Sequence, residues 1–290
     1  MPATATIAEL QRFLLRHRNA DGGWGYYAGK ASRLEPTCWA ALALGDRLPA
    51  ADLRSVIERW PVRDGLLLER ANGLENIAFH ALALLTLLAL QGTHQAGNAH
   101  LLEALQQAKG VRLPPSRINR QDDSLQAWSW ISGTFSWVEP TAWCLLALKK
   151  SQRQGSAINA ARVHDGEAVL LDRCCVLGGW NYGNSNMLGK ELRPYVPTTG
   201  VALLAMRDRV AEPAISRSVT FLENAAVSER SALALALALI ALRTFGRPYD
   251  EVYAALTRQV STTLTLGNQF SAALSLYALR TDHGDAALAL

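Results

Sequence analysis

The sequence of 290 residues contains few cysteines and few charged side chains. Its four cysteines form no C-x-x-C pair and lack the spacing of a zinc finger, which argues against a metal finger. Two of them, Cys38 and Cys144, lie within apolar helical patterns, where a small buried thiol is the ordinary explanation. The adjacent Cys174 and Cys175 are poorly placed to bridge each other. We therefore expect free thiols and a reducing cytoplasm.

Long apolar runs and basic stripes are also missing. The Ala- and Leu-rich runs at 81–90 and 232–242 are shorter than the roughly 20 residues of a membrane-spanning helix. The first residues show no basic start followed by an apolar stretch, as a secretion signal would. A net charge of +4 is spread along the chain, which argues against nucleic-acid binding. The sequence predicts a cytoplasmic protein without a transmembrane segment, compatible with peripheral membrane contact.

No β-branched run with a period of two predicts a sheet, and two kinds of helix alternate instead. Helices such as 7–14 carry an apolar stripe opposite charged residues, as expected where one face is wet. Helices such as 232–237 alternate Ala and Leu and have no polar face, so they must be enclosed on all sides. The pairs fall at 7–17 and 37–44, 51–59 and 76–90, 99–108 and 141–149, 167–174 and 198–207, 213–224 and 229–243, and 248–261 and 269–279.

Six enclosed helices surrounded by six half-exposed helices predict an all-α fold. The specific prediction is a single α/α toroid of six helical hairpins, forming one domain over residues 1–290. Small Ala side chains let the inner helices approach closely, while Leu fills the gaps between them.

An internal repeat supports this division of the chain into helical hairpins. Asp21-Gly22-Gly23-Trp24-Gly25-Tyr26 recurs as Leu177-Gly178-Gly179-Trp180-Asn181-Tyr182. Helix starts with Pro-Thr follow at 36–37 and 197–198, and a third lies at 140–141; proline is tolerated in a first turn. Ser228-Glu229 predicts a capped start for a later inner helix. The long connections 18–36, 109–140 and 175–197 should emerge at one end of the ring, beside the inner-helix N-termini.

These motifs resemble the terpenoid cyclase and protein prenyltransferase superfamily, which includes the squalene and hopene cyclases. The Gly-Gly-Trp segments are similar to that family's glutamine-tryptophan repeat, and Glu35-Pro36-Thr37 and Glu139-Pro140-Thr141 to its inner-helix starts. The resemblance implies an α/α toroid in which Trp24 and Trp180 anchor the loops. Because the superfamily contains cyclases, transferases and binding domains, it does not fix the reaction.

The sequence departs from the family in three ways. The glutamine that precedes the loop is absent, and the chain has room for one toroid where full-length triterpene cyclases have two. The family's acid motif, Asp-x-Asp-Asp-Thr, is also missing. Aligned on the third inner helix, it places Glu139 at the position of the proton-donating aspartate, without its aspartate neighbours.

Glu139 is therefore one candidate catalytic acid. A type II cyclase needs a carboxylic acid that stays protonated in a dry cavity and protonates an alkene or epoxide. The alternative is a first-turn glutamate that complements the helix dipole. A second candidate acid, Glu35, stands at another inner-helix start. Glu75 and Glu229 stand at two further starts, and we assign them to ligand binding. These groups either converge on one mouth and bind a ligand there or favour their own helix ends independently.

Asp122 and Asp123 form the only adjacent acid pair in a Trp-rich segment. The pair resembles a catalytic acid or diphosphate–magnesium motif, and a polar surface turn is the alternative. His80 lies on an inner helix, where it either faces a ligand or is a satisfied core histidine. No metal site is predicted, because the Asp-x-Cys spacing at 172–174 falls at the end of an outer helix.

Aromatic residues supply the remaining candidates. Aromatic faces stabilise cations and give an isoprenoid a shaped apolar wall. Trp39 and Trp143 occupy matching positions after the Pro-Thr starts, where they either line the cavity or fill space between helices. The other aromatic candidates for substrate contact, in the long loops, are Trp137, Tyr26 and Tyr195.

Two hypotheses follow from the sequence. The first is a small terpenoid cyclase or prenyltransferase-like protein that binds an isoprenoid in a central apolar cavity and cyclises it by protonation. It needs no cofactor, apart from Mg²⁺ if the substrate is a diphosphate. The second is a non-catalytic toroid that binds a hydrophobic ligand or a partner protein. Under either hypothesis, a partner protein could complete the site.

Overall fold

Partly exposed and enclosed helices alternate along the chain in the computed structural model. The model describes residues 3–45, 47–70, 72–90, 98–118, 120–280, 287–288 and 290. The α-helices are α1 Ala3–Arg16, α2 Leu34–Leu44, α3 Ala50–Glu58, α4 Ile77–Leu90, α5 Ala99–Gln107, α6 Val138–Arg153, α7 Ala160–Asp172, α8 Val196–Ala205, α9 Pro213–Ala226, α10 Ala232–Thr244, α11 Asp250–Thr265 and α12 Gln269–Leu279. A 3₁₀ turn, Arg207–Arg209, follows α8.

The even-numbered helices close into a ring. Each packs against the next in sequence order, and α12 packs against α2. The odd-numbered helices lie outside: α3, α5, α9 and α11 each bridge two inner helices, α7 packs on α6, and α1 packs on α11 and α12. The predicted α/α toroid is therefore confirmed, and the closed ring excludes an open solenoid.

Enclosure explains the composition of the inner helices. Residues 234–242 of α10 are all buried, as are residues 36–44 of α2. With neighbours on every side, these helices have no face on which a charged side chain could remain hydrated. Cys38 and Cys144 are fully buried free thiols within this core, and Cys174 and Cys175 are also unbridged.

The prediction that the chain contains no sheet is wrong in a minor way. Two antiparallel hairpins occur, pairing β1 Val62–Arg63 with β2 Leu66–Leu67 and β3 Asn186–Met187 with β4 Lys190–Glu191. Both turns place two residues at positive φ, the second being Gly65 or Gly189, as type I′ turns require. Strands of two residues are too short to produce a period-two pattern in the sequence.

Several helix starts also differ from prediction, and at two of them the residue that caps the helix was not the one expected. α7 begins at Ala160, seven residues before the predicted start, with the Asn159 side chain accepting a hydrogen bond from the Ala161 N–H. α10 is capped by Ser231, whose hydroxyl accepts from the Ala234 N–H, and Ser228 lies before it in the preceding turn. Within the described ranges, no helix combines the length and apolarity needed to cross a membrane.

Candidate site at the inner-helix N-termini

Three buried tryptophans fix the long loops to the ring. Trp24, Trp128 and Trp180 each donate their indole N–H to a carbonyl near the end of an outer helix, at 2.8, 2.8 and 2.6 Å. Each tryptophan also exchanges backbone hydrogen bonds with a threonine hydroxyl on the following inner helix. The expected anchoring role of Trp24 and Trp180 is confirmed, and Trp128 is a third copy.

The threonines that make these bonds are Thr37, Thr141 and Thr199. The sequence repeat aligned the Pro-Thr pair at 197–198 with the other two starts, but the structure aligns Thr199. Relative to this threonine, Pro197 takes the place that Glu35 and Glu139 hold in α2 and α6. Of these three inner helices, α2 and α6 therefore carry a carboxyl at this position, and α8 does not.

Glu35 is held in the first turn of α2 beneath the first loop. Its Oε2 accepts a hydrogen bond of 2.7 Å from the Tyr26 hydroxyl. The carboxyl is surrounded by protein although the residue remains partly exposed. Burial and the nearby carboxylates of Glu139 and Glu69 raise the pKa of Glu35 to about 8, against the opposing effect of Tyr26. Glu35 is therefore mostly protonated at neutral pH.

Glu139 occupies the equivalent position in α6. Burial raises its pKa to about 7, and a hydrogen bond from the Trp143 side chain opposes the shift. The charge of Glu139 contributes to the raised pKa of Glu35, so the two carboxyls are near enough to interact electrostatically. Because α4 separates α2 from α6 in the ring, the interaction between the two carboxyls crosses the mouth, the end of the ring at which the inner helices begin.

Sequence reasoning missed Glu69 and Arg33 at this mouth. Arg33 donates to Glu69 at 2.6 Å, and the Leu34 N–H donates to the Glu69 backbone carbonyl. The Glu69 carboxylate raises the pKa of Glu35, whereas Arg33 lowers that of Tyr26. Glu69 lies in an irregular segment after β2, where the sequence carries no signal that it would fold back over α2.

Aromatic side chains lie one turn below the two glutamates. The rings of Trp39 and Trp143 meet edge to face with centroids 5.9 Å apart, and Trp39 meets Tyr277 of α12 at 5.7 Å. Trp39 is 1% exposed and Trp143 is 5% exposed. These rings therefore form a packed aromatic floor across the ring interior, one helical turn below the glutamates.

A surface cleft adjoins the N-terminal ends of α6 and α8. It has a volume of about 490 Å³. Trp137 stacks on Phe135 at 4.7 Å, and Tyr182 meets Tyr195 at 5.3 Å; both tyrosines are about half exposed. Arg193 also lines the cleft and has no hydrogen-bond or ion-pair partner among the described residues. Trp137 and Tyr195 are thus brought together, beside α6 rather than above the ring axis.

Several other candidates lie away from Glu35 and Glu139. Glu75 accepts from the Ser132 N–H in an exposed connection, and its pKa is lowered chiefly by backbone hydrogen bonding. Glu229 accepts from the Arg230 and Ser231 N–H groups just before α10. The Glu75 carboxyl is far less enclosed by protein than that of Glu35.

The acid pair is split between two environments. Asp122 is exposed, caps a turn through Ser124, and lies beside Asp172 and Arg173 at the end of the outer helix α7. Asp123 is buried and accepts from the Ser116 N–H and the Gln121 side chain. Among the described residues, no three His, Cys, Asp or Glu side chains are grouped to hold a metal ion.

His80 faces the outer layer. Its Nδ1 accepts from the Leu67 N–H at 3.1 Å, and its Nε2 lies 2.8 Å from the Leu101 carbonyl, to which it donates as the neutral ring. Burial lowers its pKa to about 4. Both nitrogens are therefore used in joining α4 to β2 and α5, and His80 is not brought to the mouth.

Comparison with known proteins supports the fold. No family model and no curated protein matches the sequence. Among solved structures, the chain resembles a protein from Actinoplanes (TM-score 0.63, 15% identity, covering 96% of this chain and 99% of that one). It also resembles the type II terpene cyclase MstE from Scytonema (TM-score 0.61, 15% identity, covering 98% of this chain and 98% of that one). A third similar structure is an α-amylase from Clostridium perfringens (TM-score 0.67, 8% identity, covering 94% of this chain and 97% of that one). Identities this low show a shared fold. A variant of the Scytonema cyclase was solved with geranylgeranyl dihydroxybenzoate as substrate.

Proposed function

We propose that this protein binds an isoprenoid with an alkene at the mouth of the toroid and starts its cyclisation by proton transfer from Glu35. The observation that carries the proposal is the Glu35 carboxyl. It is enclosed by protein, protonated at neutral pH and hydrogen-bonded to Tyr26 through one oxygen. A carboxyl that stays neutral at pH 7 is suited to act as a general acid.

In the proposed proton-transfer step, Glu35 donates the proton and a carboxylate or water takes one back at the end. With Oε2 accepting from Tyr26, the Glu35 proton resides on Oε1. Transfer breaks that O–H bond, forms a C–H bond at one alkene carbon and leaves a cation on the other. The Tyr26 hydrogen bond then stabilises the new carboxylate. Loss of a proton from the final cation to a carboxylate or water completes an isomerisation.

Glu139 and the aromatic floor support the same step. With a pKa of about 7, Glu139 is partly ionised at neutral pH, so its carboxylate stabilises positive charge and accepts a proton at the end. The edge-to-face pair of Trp39 and Trp143 lies directly below, where indole rings favour nearby cations. Glu139 is the alternative donor if the substrate lies on its side of the mouth.

The nature of the substrate is inferred from the fold and the cleft. The Scytonema cyclase that shares the fold acts on a geranylgeranyl chain attached to an aromatic acid. In the present protein, the cleft of Trp137 and Tyr195 offers aromatic walls, and Arg193, which makes no ion pair with the described residues, offers a cation for an anionic end group. A diphosphate substrate would bring Mg²⁺ with it, and Asp122 and Asp123 then remain the candidates for contact with that ion.

A second function is favoured by one observation. The packed aromatic floor closes the ring below the glutamates, so a long isoprenoid cannot descend along the axis without displacing Trp39. A non-catalytic toroid that holds a hydrophobic ligand or a partner protein at the mouth is consistent with this packing.

Incubation in D₂O separates the two functions. Purified protein is incubated with geranylgeranyl dihydroxybenzoate, geranylgeranyl diphosphate with Mg²⁺, and squalene, and the products are analysed by mass spectrometry. Acid-initiated cyclisation gives an isomer that carries one solvent deuteron. Glu35→Gln should remove this product, while Glu229→Gln, a glutamate outside the mouth, should retain it.

The outcomes are distinct. Loss of product in Glu139→Gln but not in Glu35→Gln would move the donor to α6. Binding of a substrate with no deuterated isomer, in protein shown to be folded, would support the non-catalytic function. Unchanged turnover in both glutamine variants would exclude both carboxyls from the reaction.

A further inference from the structure

A separate pocket lies at the opposite end of the toroid, between α4, α5 and α6. It has a volume of about 480 Å³, within the range of small-molecule sites. Leu84, Leu88 and Leu102 form an apolar wall, and Asn98 and Ser151 are polar members of the lining. Ser151 follows Glu139 by twelve residues of α6, which is roughly 18 Å along the helix. The pocket is therefore distinct from the glutamate mouth.

Two buried side chains of this pocket have no hydrogen-bond partner within the part of the chain that the structure describes. Both the amide oxygen and the amide nitrogen of Asn98 are buried and unsatisfied, and so is the Ser151 hydroxyl. Asn98 is 4% exposed and Ser151 is 1% exposed. Asn98 stands in the N-cap position of α5, yet its side chain makes no capping bond. A buried amide without partners is costly, and such a group in a native protein is commonly satisfied by a bound molecule.

The lining defines the chemistry of that molecule. Asn98 offers one donor group and one acceptor, so a complementary group must accept and donate at once. A carboxylate only accepts, and the described residues of the lining include Glu103 and no lysine or arginine that would pair with a bound carboxylate. A carboxamide has both functions, and Ser151 can serve either of its atoms. The leucine wall requires an apolar body next to the amide.

We propose that this pocket binds a small molecule with an apolar chain and a carboxamide, the amide pairing with Asn98 and Ser151 and the chain lying on Leu84, Leu88 and Leu102. Because both Asn98 amide atoms are buried in this structure, binding in this mode includes a rotation of that side chain toward the pocket. The site is independent of the proposed acid chemistry, because none of its lining residues belongs to the mouth.

The test uses octanamide as probe and methyl octanoate as its matched control, which has a similar chain but no N–H donor. Affinities are measured by titration calorimetry, and ligand-induced shifts of Asn98 are followed by NMR of the full chain. We expect octanamide to bind about tenfold more tightly than the ester, because the ester leaves a buried acceptor unpaired. Asn98→Leu should abolish the preference while still accepting the chain.

Ser151→Ala serves as a second variant if Asn98→Leu fails to fold, and it should reduce the preference for the amide. Glu35→Gln, at the other end of the toroid, should leave binding unchanged. Equal affinities for amide and ester, no binding of either, or an amide preference that survives both pocket variants would overturn the proposal.

Discussion

The indole of Trp39 contacts the indole of Trp143 edge to face, with ring centroids 5.9 Å apart, although α4 stands between their helices in the ring. The contact therefore spans the ring interior. Each tryptophan lies one turn below a glutamate, Glu35 or Glu139. The same two helices thus supply both the acidic groups of the mouth and the aromatic floor beneath them.

Replacing Trp39 by Ala tests the importance of this contact. Because the indole is 1% exposed and fills the interior, its loss should leave a cavity and lower the free energy of unfolding by about 3–5 kcal/mol. Urea titration followed by circular dichroism measures the change. Leu177→Ala is the control: Leu177 is 80% exposed, and its loss should alter stability by less than about 0.5 kcal/mol. Equal effects would show that the floor is not packed as described.

The two glutamates predict an unusual pH dependence. Their folded-state pKa values, about 8 and about 7, lie above the ordinary value of 4.5, so the folded protein binds protons more tightly than the unfolded chain. Stability contributed by the protonated forms is complete below pH 4.5 and is lost as pH rises toward 8. The slope in that window is about 1 kcal/mol per pH unit for each group.

Glu35→Gln and Glu139→Gln isolate this effect from other titrations. Each variant should match the wild type near pH 4.5 and become relatively more stable as pH approaches 8. Denaturant titrations at intervals of half a pH unit measure the difference. A wild-type minus variant difference that stays constant from pH 4.5 to 8 would contradict the assigned pKa shifts.

Adjacent threonines at the start of α8 predict opposite outcomes. The Thr199 hydroxyl accepts from the Trp180 N–H at 2.9 Å, so Thr199→Val should leave that donor unsatisfied and cost about 1–3 kcal/mol. The Thr198 hydroxyl is buried and has no hydrogen-bond partner among the residues that the structure describes, so Thr198→Val should be neutral or slightly stabilising. Thermal unfolding of the two variants decides whether Thr199 is the anchoring residue.

A buried ion pair joins α6 to the outer layer. Lys149 is 4% exposed and donates to Glu167 at 2.7 Å and to Asp208 at 2.6 Å. Lys149→Met should lower stability by about 3–5 kcal/mol, because Glu167 then loses its buried counter-ion. Arg209→Ala removes a 3.7 Å contact with Glu167 and a 2.9 Å pair with Glu212, both made by a side chain that is 41% exposed, and should cost less than about 1 kcal/mol. Chemical denaturation of both variants gives the comparison.

Much of the fold was accessible from hydrophobic patterning. The alternation of amphipathic and wholly apolar helices predicted the two layers, and the resemblance of the Gly-Gly-Trp segments to a known family implied the anchoring role of Trp24 and Trp180. The hairpins at 62–67 and 186–191 escaped prediction because their strands are two residues long. Ser231 as the cap of α10 was missed because Ser228 offers the same local signal, and only the path of the chain distinguishes them.

The candidate site was accessible in part. Glu139 was identified by aligning the acid motif of the resembled family on the third inner helix, and Glu35 by its place at another inner-helix start. Their burial bears on the acid hypothesis. His80 was indistinguishable from a ligand-facing residue, because an inner helix exposes one side to the ring axis and another to the outer layer. Glu69 and Asn98 carried no local pattern, since their surroundings are built by segments distant in sequence.

The sequence by itself determined the all-α toroid, because helix periodicity and the lack of a polar face on alternate helices are local properties that require one enclosed layer and one half-exposed layer. Only the tertiary structure decided which acidic residues meet, because closing the ring juxtaposes residues from non-neighbouring helices. Burial then raised the pKa of Glu35 and Glu139, while solvent and backbone hydrogen bonds kept Glu75 an ordinary carboxylate.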